Sequence, residues 1–358
     1  MIRVLVVEDS RVMAEYLTHI INADPDMTVI GAACNGAEAV ERVRCEKPDV
    51  VTMDTDMPVM NGFEATRIIM ETVPVPIVII TANCSSSDAK YTFMAIEAGA
   101  LAVLEKPHCL SDAQGAVGAA EIVRTVKLMS AVHVIRRWPR AATGKKIKTA
   151  PHSSAAPSAC RIVAIGTSTG GPPVLRTILS QVPRDIAVPI VIVQHIAPGF
   201  LPGLIDWLSK DTGFPVHIAS HCERLLPGHV YMAPDNYHIS VRGDYRVVLS
   251  DSPHENNMRP AASFLFRSIA REFGGSAIGV LLTGMGCDGA AELGDIKRAG
   301  GTTMAQDRDS SVVHGMPGEA IKRGSVTQVL APDGIAAALT RMLPRMQPPQ
   351  PASAGGTR

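Results

Sequence analysis

Short, almost wholly apolar runs alternate with amphipathic stretches twice along this chain, and that rhythm restricts the fold more than any other feature. The first series of runs covers residues 4–7, 28–32, 50–53, 77–81 and 101–104. Helix-like stretches at 10–23, 36–45, 62–71, 88–98 and 110–129 separate and follow them. A run that is apolar at every position has no solvent face, so it belongs to a parallel sheet covered on both sides by crossover helices. The alternation restarts at residue 161, with strands predicted at 161–166, 188–194, 215–219, 276–281, 302–305 and 326–330. A β-rich insert is expected over about 229–250, where 230–232, 238–241 and 247–249 read as meander strands turned at Arg242-Gly243-Asp244.

Between the two series, residues 136–160 read RRWPRAATGKKIKTAPHSSAAPSAC, first basic and then rich in Ala, Ser and Pro. Such a composition buries no core and behaves as a solvated linker. The chain therefore divides into a domain at 1–130, a linker at 131–160, a second domain at 161–345 and a Pro- and Gly-rich disordered tail at 346–358. Two domains also suit 358 residues, more than one core usually supports. The fold class is α/β, with two doubly wound parallel sheets: a flavodoxin-like domain, then a Rossmann-like one with a β-hairpin insert. A formal net charge of zero gives no pull toward nucleic acid or an anionic membrane. Seven scattered cysteines without a C-x-x-C argue against a disulfide framework and for a reducing compartment. With no run of 18 apolar residues and no cleavable leader, the expected location is cytoplasmic.

Glu8 and Asp9 directly follow the first run, and Asp54 directly follows the third. Open parallel sheets collect ligands beyond the carboxyl ends of their central strands, which brings these carboxylates together. Like charges that close bind a metal or raise a pKa, and an all-oxygen cluster suits Mg²⁺. Thr81 ends the fourth run and Lys106-Pro107 follows the fifth, a hydroxyl and an ammonium placed to grip a phosphoryl group on Asp54. VVEDS, MDTDMPVMNG, ITA and EKP resemble the response-regulator receiver domain over residues 1 to about 125. That resemblance implies Asp54 as phosphoacceptor, Glu8 and Asp9 with Asp54 as Mg²⁺ ligands, Thr81 as the switch hydroxyl and Lys106 as the phosphate-binding lysine. Asp56 is the rival acceptor. Asp54 is preferred because it sits at the strand end, four residues before Pro58.

IGTSTGGPP, residues 165–173, poses a choice between a phosphate-cradling loop and an exposed nucleophile. A phosphate loop needs Lys after its glycines, and Gly171 is followed by two prolines. What fits is Gly166-Thr167-Ser168-Thr169-Gly170, a G-x-S-x-G turn between strand and helix. Pro172 then falls in the first helical turn, where a missing N–H is tolerated. A serine needs a base, and the next strand ends in His195. His217 lies within a strand pattern and reads as structural, while His238 opens a strand and could line the site. For the orienting carboxylate, Asp288 is the only acid in IGVLLTGMGCDG, whereas Asp295 and Asp307 lie within or beyond the following elements. The order Ser168, His195, Asp288 differs from that of α/β-hydrolases.

IGTSTGGP, VQHI, MAPDNYHI, RPAASFLFRSIA and LLTGMGCDGA resemble the catalytic domain of the chemotaxis protein-glutamate methylesterases, the CheB family. The resemblance implies hydrolysis of glutamate γ-methyl esters on methyl-accepting chemoreceptors, with deamidation of selected glutamines in many members. Ser168, His195 and Asp288 carry over as nucleophile, base and orienting acid. The backbone N–H of Thr169 is the expected oxyanion donor, with a second from the Gly284-Met285-Gly286 loop, Met285 being the candidate. Mg²⁺ is expected for phosphorylation and no cofactor for the esterase. The implied partners are chemoreceptors and a chemotaxis-type histidine kinase, with no nucleic acid and no membrane insertion, and a monomer is the family expectation. Thr167 and Cys287 stand where members often carry Ala, and the linker is longer and more basic than theirs.

Overall fold

The computed structural model describes residues 1–82, 94–95, 98–107, 113–132, 134, 160–196 and 199–346. The first domain runs β1 (Ile2–Val7), α1 (Arg11–Asn22), β2 (Met27–Ala33), α2 (Gly36–Glu46), β3 (Val50–Met53), α3 (Gly62–Thr72), β4 (Ile77–Thr81), β5 (Ala102–Glu105) and α4 (Ala113–Ser130). Side-chain alternation explains how the apolar runs serve two layers at once. Leu5, Val7, Val51, Met53, Ile77 and Ile79 meet the α2–α3 face. Val4, Val6, Val50, Val78 and Ile80 meet Leu17 and Ile21 of α1 and Ile122 and Val126 of α4. Ser10, Asn35 and Asn61 cap α1, α2 and α3, each accepting a backbone N–H three residues on, which fixes where the helices begin. The sheet is parallel, in the order β2-β1-β3-β4-β5. Strand order thus reverses between β1 and β3, beside Glu8, Asp9 and Asp54. The helix expected at 88–98 falls mostly outside the described residues, as do the linker sequence before Cys160 and the tail beyond Met346.

The second domain holds β6 (Ile162–Thr167), α5 (Gly171–Gln181), β7 (Ile190–Gln194), α6 (Leu201–Thr212), β8 (Val216–Ile218) and β9 (Val230–Met232). β10 (His238–Val241), β11 (Val247–Ser250), α7 (Ala262–Phe273), β12 (Ala277–Leu281) and α8 (Glu292–Arg298) follow. β13 (Thr302–Gln306), α9 (Met316–Lys322), β14 (Gln328–Leu330) and α10 (Pro332–Met342) complete it. Seven parallel strands lie in the order β14-β13-β12-β6-β7-β9-β8. β6 is central, paired with β7 through Val163↔Ile190 and with β12 through Ile162↔Ala277. The chain leaves β6 toward β7 and later returns to β12 on its other side, so the crevice beyond β6 is the switch point of this sheet.

One expectation fails here. Residues 230–232 are not a meander strand but β9, an interior member of the main sheet, parallel to β7 and β8. Val230, Tyr231 and Met232 are all buried, and three residues buried on both faces give no alternation to read. Only β10 and β11 form the antiparallel hairpin, turned where Tyr245 donates its N–H to the Arg242 carbonyl at 2.8 Å.

Candidate active site

Three rim loops of the second sheet meet at the carboxyl ends of β6, β7 and β12. The first is the serine turn. Gly170 has φ +77°, a left-handed conformation that glycine adopts without penalty, and α5 starts at the next residue with prolines in its first turn. Ser168 donates its N–H to the Thr283 carbonyl at 3.0 Å, and its own carbonyl accepts from Gly171 at 2.8 Å. Thr283 stitches this turn to the loop after β12, its hydroxyl donating to the Thr169 carbonyl at 2.9 Å. The Thr167 hydroxyl reaches the Thr283 carbonyl at 3.3 Å, which gives that threonine a bond an alanine would lack. Gly284 lies so close that a Cβ there would sit 2.7 Å from Ser168 Cβ, so this position requires glycine.

His195 follows β7 directly, its N–H bonded to the Thr167 carbonyl at 3.0 Å. Gln194, one residue earlier, holds serine and histidine together: its Nε2 donates to the Ser168 carbonyl at 2.9 Å and to the His195 carbonyl at 2.7 Å. His195 Nε2 lies 2.9 Å from Asp288 Oδ2, both side chains being buried. Ser168 and His195 line the same cleft, although the serine hydroxyl makes no hydrogen bond among the described residues. Catalytic hydrogen bonds commonly close only when substrate is bound. The backbone N–H groups of Thr169 and Met285 carry no hydrogen bond among the described residues either.

Asp288 also accepts from Ala262 N–H at 2.6 Å, Ser263 N–H at 3.1 Å and Asn256 Nδ2 at 3.1 Å, so the N-terminus of α7 points at its carboxylate. Burial alone would raise this carboxyl. The hydrogen bond and charge contact with His195 outweigh it, with Ser263 and Ala262 adding, and bring it to about 2. A depressed folded-state value stabilises the protein above the ordinary 3.8, and that contribution disappears as pH falls toward about 2. It amounts to roughly 2 kcal/mol. Urea unfolding should therefore show wild type losing about that much more than Asp288→Asn across this window. Parallel losses in the two proteins would mean that the carboxyl is not held low.

The competing residues have other employment. His238 does not line the cleft. It is fully buried, with Nε2 bonded to the Pro253 carbonyl at 3.0 Å and Nδ1 accepting the Ala261 N–H at 3.2 Å. His217 pairs with His229 at 2.8 Å. Asp295 pairs with Arg298, and Asp307 accepts the Ser310 N–H at 2.9 Å.

On the first sheet, Glu8, Asp9 and Asp54 bring carboxylate oxygens within 4.8 Å of one another. Glu8 and Asp54 are buried, Asp9 exposed. Lys106 Nζ bridges them, 2.8 Å from Glu8 Oε2 and 2.9 Å from Asp54 Oδ2. Burial pushes both carboxyls above their ordinary values, and Lys106 offsets this only partly. An all-oxygen cluster short of positive charge fits Mg²⁺. Thr81 Oγ1 lies 2.8 Å from Thr55 Oγ1, and Thr55 donates its N–H to Asp54 Oδ1 at 2.7 Å. Asp56 is exposed and outside the carboxylate cluster. The sequence offered no signal for Thr55, Gln194, Thr283 or Asn256, since a lone hydroxyl or carboxamide carries no spacing rule.

Between the two sheets lies a cavity of about 240 Å³. Ala100–Leu104 and Thr125 line one side, and Ser168, Thr169, His195 and Phe200 the other. Val312, whose side chain crowds Gly170, packs against the apolar layer under α4.

Fold and rims together define a class: a receiver-type phosphoacceptor domain joined to a doubly wound domain of the serine-hydrolase kind. Residues 4–117 match the response regulator receiver domain family, and residues 163–339 match CheB methylesterase. A protein-glutamate methylesterase/protein-glutamine glutaminase of Nitrosospira multiformis is 49% identical over 348 residues, 96% of this chain and 97% of that one. Its counterpart numbered 4 in Geobacter metallireducens is 48% identical over 343 residues, 96% and 99% of the two chains. The chain belongs to the CheB family of protein-glutamate methylesterase/protein-glutamine glutaminases. The crystal structure of the Thermotoga maritima CheB methylesterase catalytic domain matches 51% of this chain and 99% of its own, at 37% identity and a TM-score of 0.50.

Proposed function

We propose that this protein hydrolyses γ-methyl esters of glutamate side chains on the cytoplasmic helices of methyl-accepting chemoreceptors, releasing methanol, and deamidates selected glutamines there. The observation that carries the reading is the 2.9 Å contact of His195 with Asp288, on the sheet rim that also presents Ser168. Ser168 Oγ attacks the ester carbonyl while the imidazole takes its proton. Because Nε2 faces Asp288, the proton passes through Nδ1. Negative charge develops on the carbonyl oxygen, toward which the Thr169 and Met285 N–H groups, unbonded among the described residues, would donate, each such donor being worth roughly 3–4 kcal/mol. His195 then protonates methanol, and water hydrolyses the glutamyl ester of Ser168. Asp288 holds the imidazole's orientation and stabilises its protonated form.

Residues 1–130 act as the regulator and 161–345 as the hydrolase, joined by 131–160. A chemotaxis-type histidine kinase donates a phosphoryl group to Asp54, with Lys106 and Thr81 contacting its oxygens. Mg²⁺, held by Glu8, Asp9 and Asp54, would neutralise charge on the incoming phosphate. No described helix is long and apolar enough to cross a membrane. The test is methanol release from methylated receptor membranes, with and without acetyl phosphate and Mg²⁺. Phosphate-stimulated methanol is expected. Ammonia from receptor glutamines without methanol from esters would make the protein a deamidase alone.

A further inference from the structure

Asp288 is held by more than the histidine it orients. Its Oδ2 takes His195 Nε2 and the Ala262 N–H; its Oδ1 takes the Ser263 N–H and Asn256 Nδ2. Two donors on each oxygen fix the rotation of the carboxylate. Three of the four come from the sheet rim and the start of α7. The fourth comes from the loop joining β11 to α7, and that loop is braced to deliver it. Glu255 and Met258 exchange backbone hydrogen bonds at 3.1 and 2.8 Å, with Asn256 and Asn257 between them at φ 51° and 62°. Left-handed backbone is uncommon outside glycine, and Asn tolerates it better than most residues. Arg267 of α7 grips Glu255, with Nη2 at 2.6 Å from Oε2, and Arg259 donates to the Asp251 and Ser252 carbonyls at 2.7 and 3.1 Å. The Asn256 amide has one sensible orientation, since an ionised carboxylate only accepts and Nδ2 must face it.

We propose that Asn256 is a positioning residue for the hydrolysis, its side-chain amide setting the Asp288 carboxylate so that Oδ2 meets His195. Asn256 makes no hydrogen bond to Ser168 and is not among the residues lining the cleft of Ser168 and His195, and it acts through Asp288. The same Nδ2 reaches Ser263 Oγ at 3.2 Å, and that hydroxyl accepts the Gly289 N–H at 2.9 Å and donates to Glu292 Oε2 at 2.7 Å. Asn256 therefore ties the acid to the backbone next to it. The titratable groups around the amide are Asp288 and, through it, His195 on the rim, Glu292 on α8, and Glu255 paired with Arg267.

The inference rests on Asp288 being the orienting acid, and the experiment separates the two. kcat, KM and the pH profile of kcat/KM for methanol release are measured on the full chain for wild type, Ser168→Ala, Asn256→Ala and Asn256→Asp. Asn256→Ala should lower kcat roughly ten-fold with KM within two-fold, because a hydrogen bond to a charged group is lost from the acid alone. Asn256→Asp places a second carboxylate against Asp288 and should move the acid limb of kcat/KM to higher pH. A loop with a merely structural role would lower melting temperature and leave that limb in place. If Asn256→Asp does not accumulate folded, the His195 ring resonances of Asn256→Ala, followed by NMR, carry the test: ring chemical shifts identical to wild type overturn the proposal. So does unchanged kcat in Asn256→Ala while Ser168→Ala is inactive. Substantial activity in Ser168→Ala would instead remove the reading beneath it.

Discussion

Ser168→Ala should stop methanol release from methylated receptor membranes and leave the protein folded. Loss of a serine nucleophile costs about 10⁴-fold or more in kcat, because the remaining donors and substrate contacts cannot supply a covalent route. The fold should not notice. The Ser168 hydroxyl makes no hydrogen bond among the described residues, and the turn is held through its backbone, by the Thr283 carbonyl and Gly171. Gln194 grips the Ser168 carbonyl, which alanine keeps. The melting temperature should therefore stay within a few degrees of wild type, as for any substitution that removes no packed or bonded group. Retention of more than a few per cent of wild-type turnover would reject Ser168 as nucleophile, and with it the proton transfer through His195.

Both sheets were legible because their central strands, such as β3, β4, β6, β7 and β12, are buried on two faces and so read as unbroken apolar runs. The site was legible for a related reason: Ser168, His195, Asp54 and Glu8 all stand one residue past such a run, where a parallel sheet presents its ligands. Asp288, by contrast, lies seven residues beyond Leu281, and only its glycine-rich turn marked it. β9 escaped because three residues between turns look the same in a hairpin and in a covered sheet, and pairing with β7 was settled by contacts distant in sequence. His238 was misplaced because a strand start near the site does not reveal which way the ring points. Gln194 and Asn256 were invisible because their value lies in which carbonyl or carboxylate faces them. Which surface of the receiver docks was equally hidden, since residues 101–104 read only as one more apolar run.

The second large effect concerns that docking: removing residues 1–150 should raise basal methanol release, by about ten-fold or more. A receptor helix is about 10 Å across with its side chains, and the 240 Å³ space between Ser168 and the receiver strand cannot admit one. Turnover in the full chain then requires the receiver to move aside, and the rate is reduced by the fraction of time it does so. The truncated domain keeps both of its own apolar layers, built wholly from residues 160–343, and the matching Thermotoga maritima domain was crystallised as a catalytic domain. Phosphorylation acts on the same equilibrium from a distance. A phosphoryl group on Asp54 would draw the Thr81 hydroxyl and Lys106 toward itself, at the expense of the Thr81–Thr55 bond and the Lys106–Glu8 ion pair. Thr81 closes β4, and β4 pairs with β5, the strand beside Ser168, so rearrangement at the phosphate reaches the covering surface through one strand pair. Asp54→Asn should accordingly abolish stimulation by acetyl phosphate and Mg²⁺ in the full chain, and the truncated domain should show none. A truncated enzyme no faster than the full chain would mean that the receiver does not restrain it. Stimulation surviving in Asp54→Asn would put the phosphate somewhere other than this pocket.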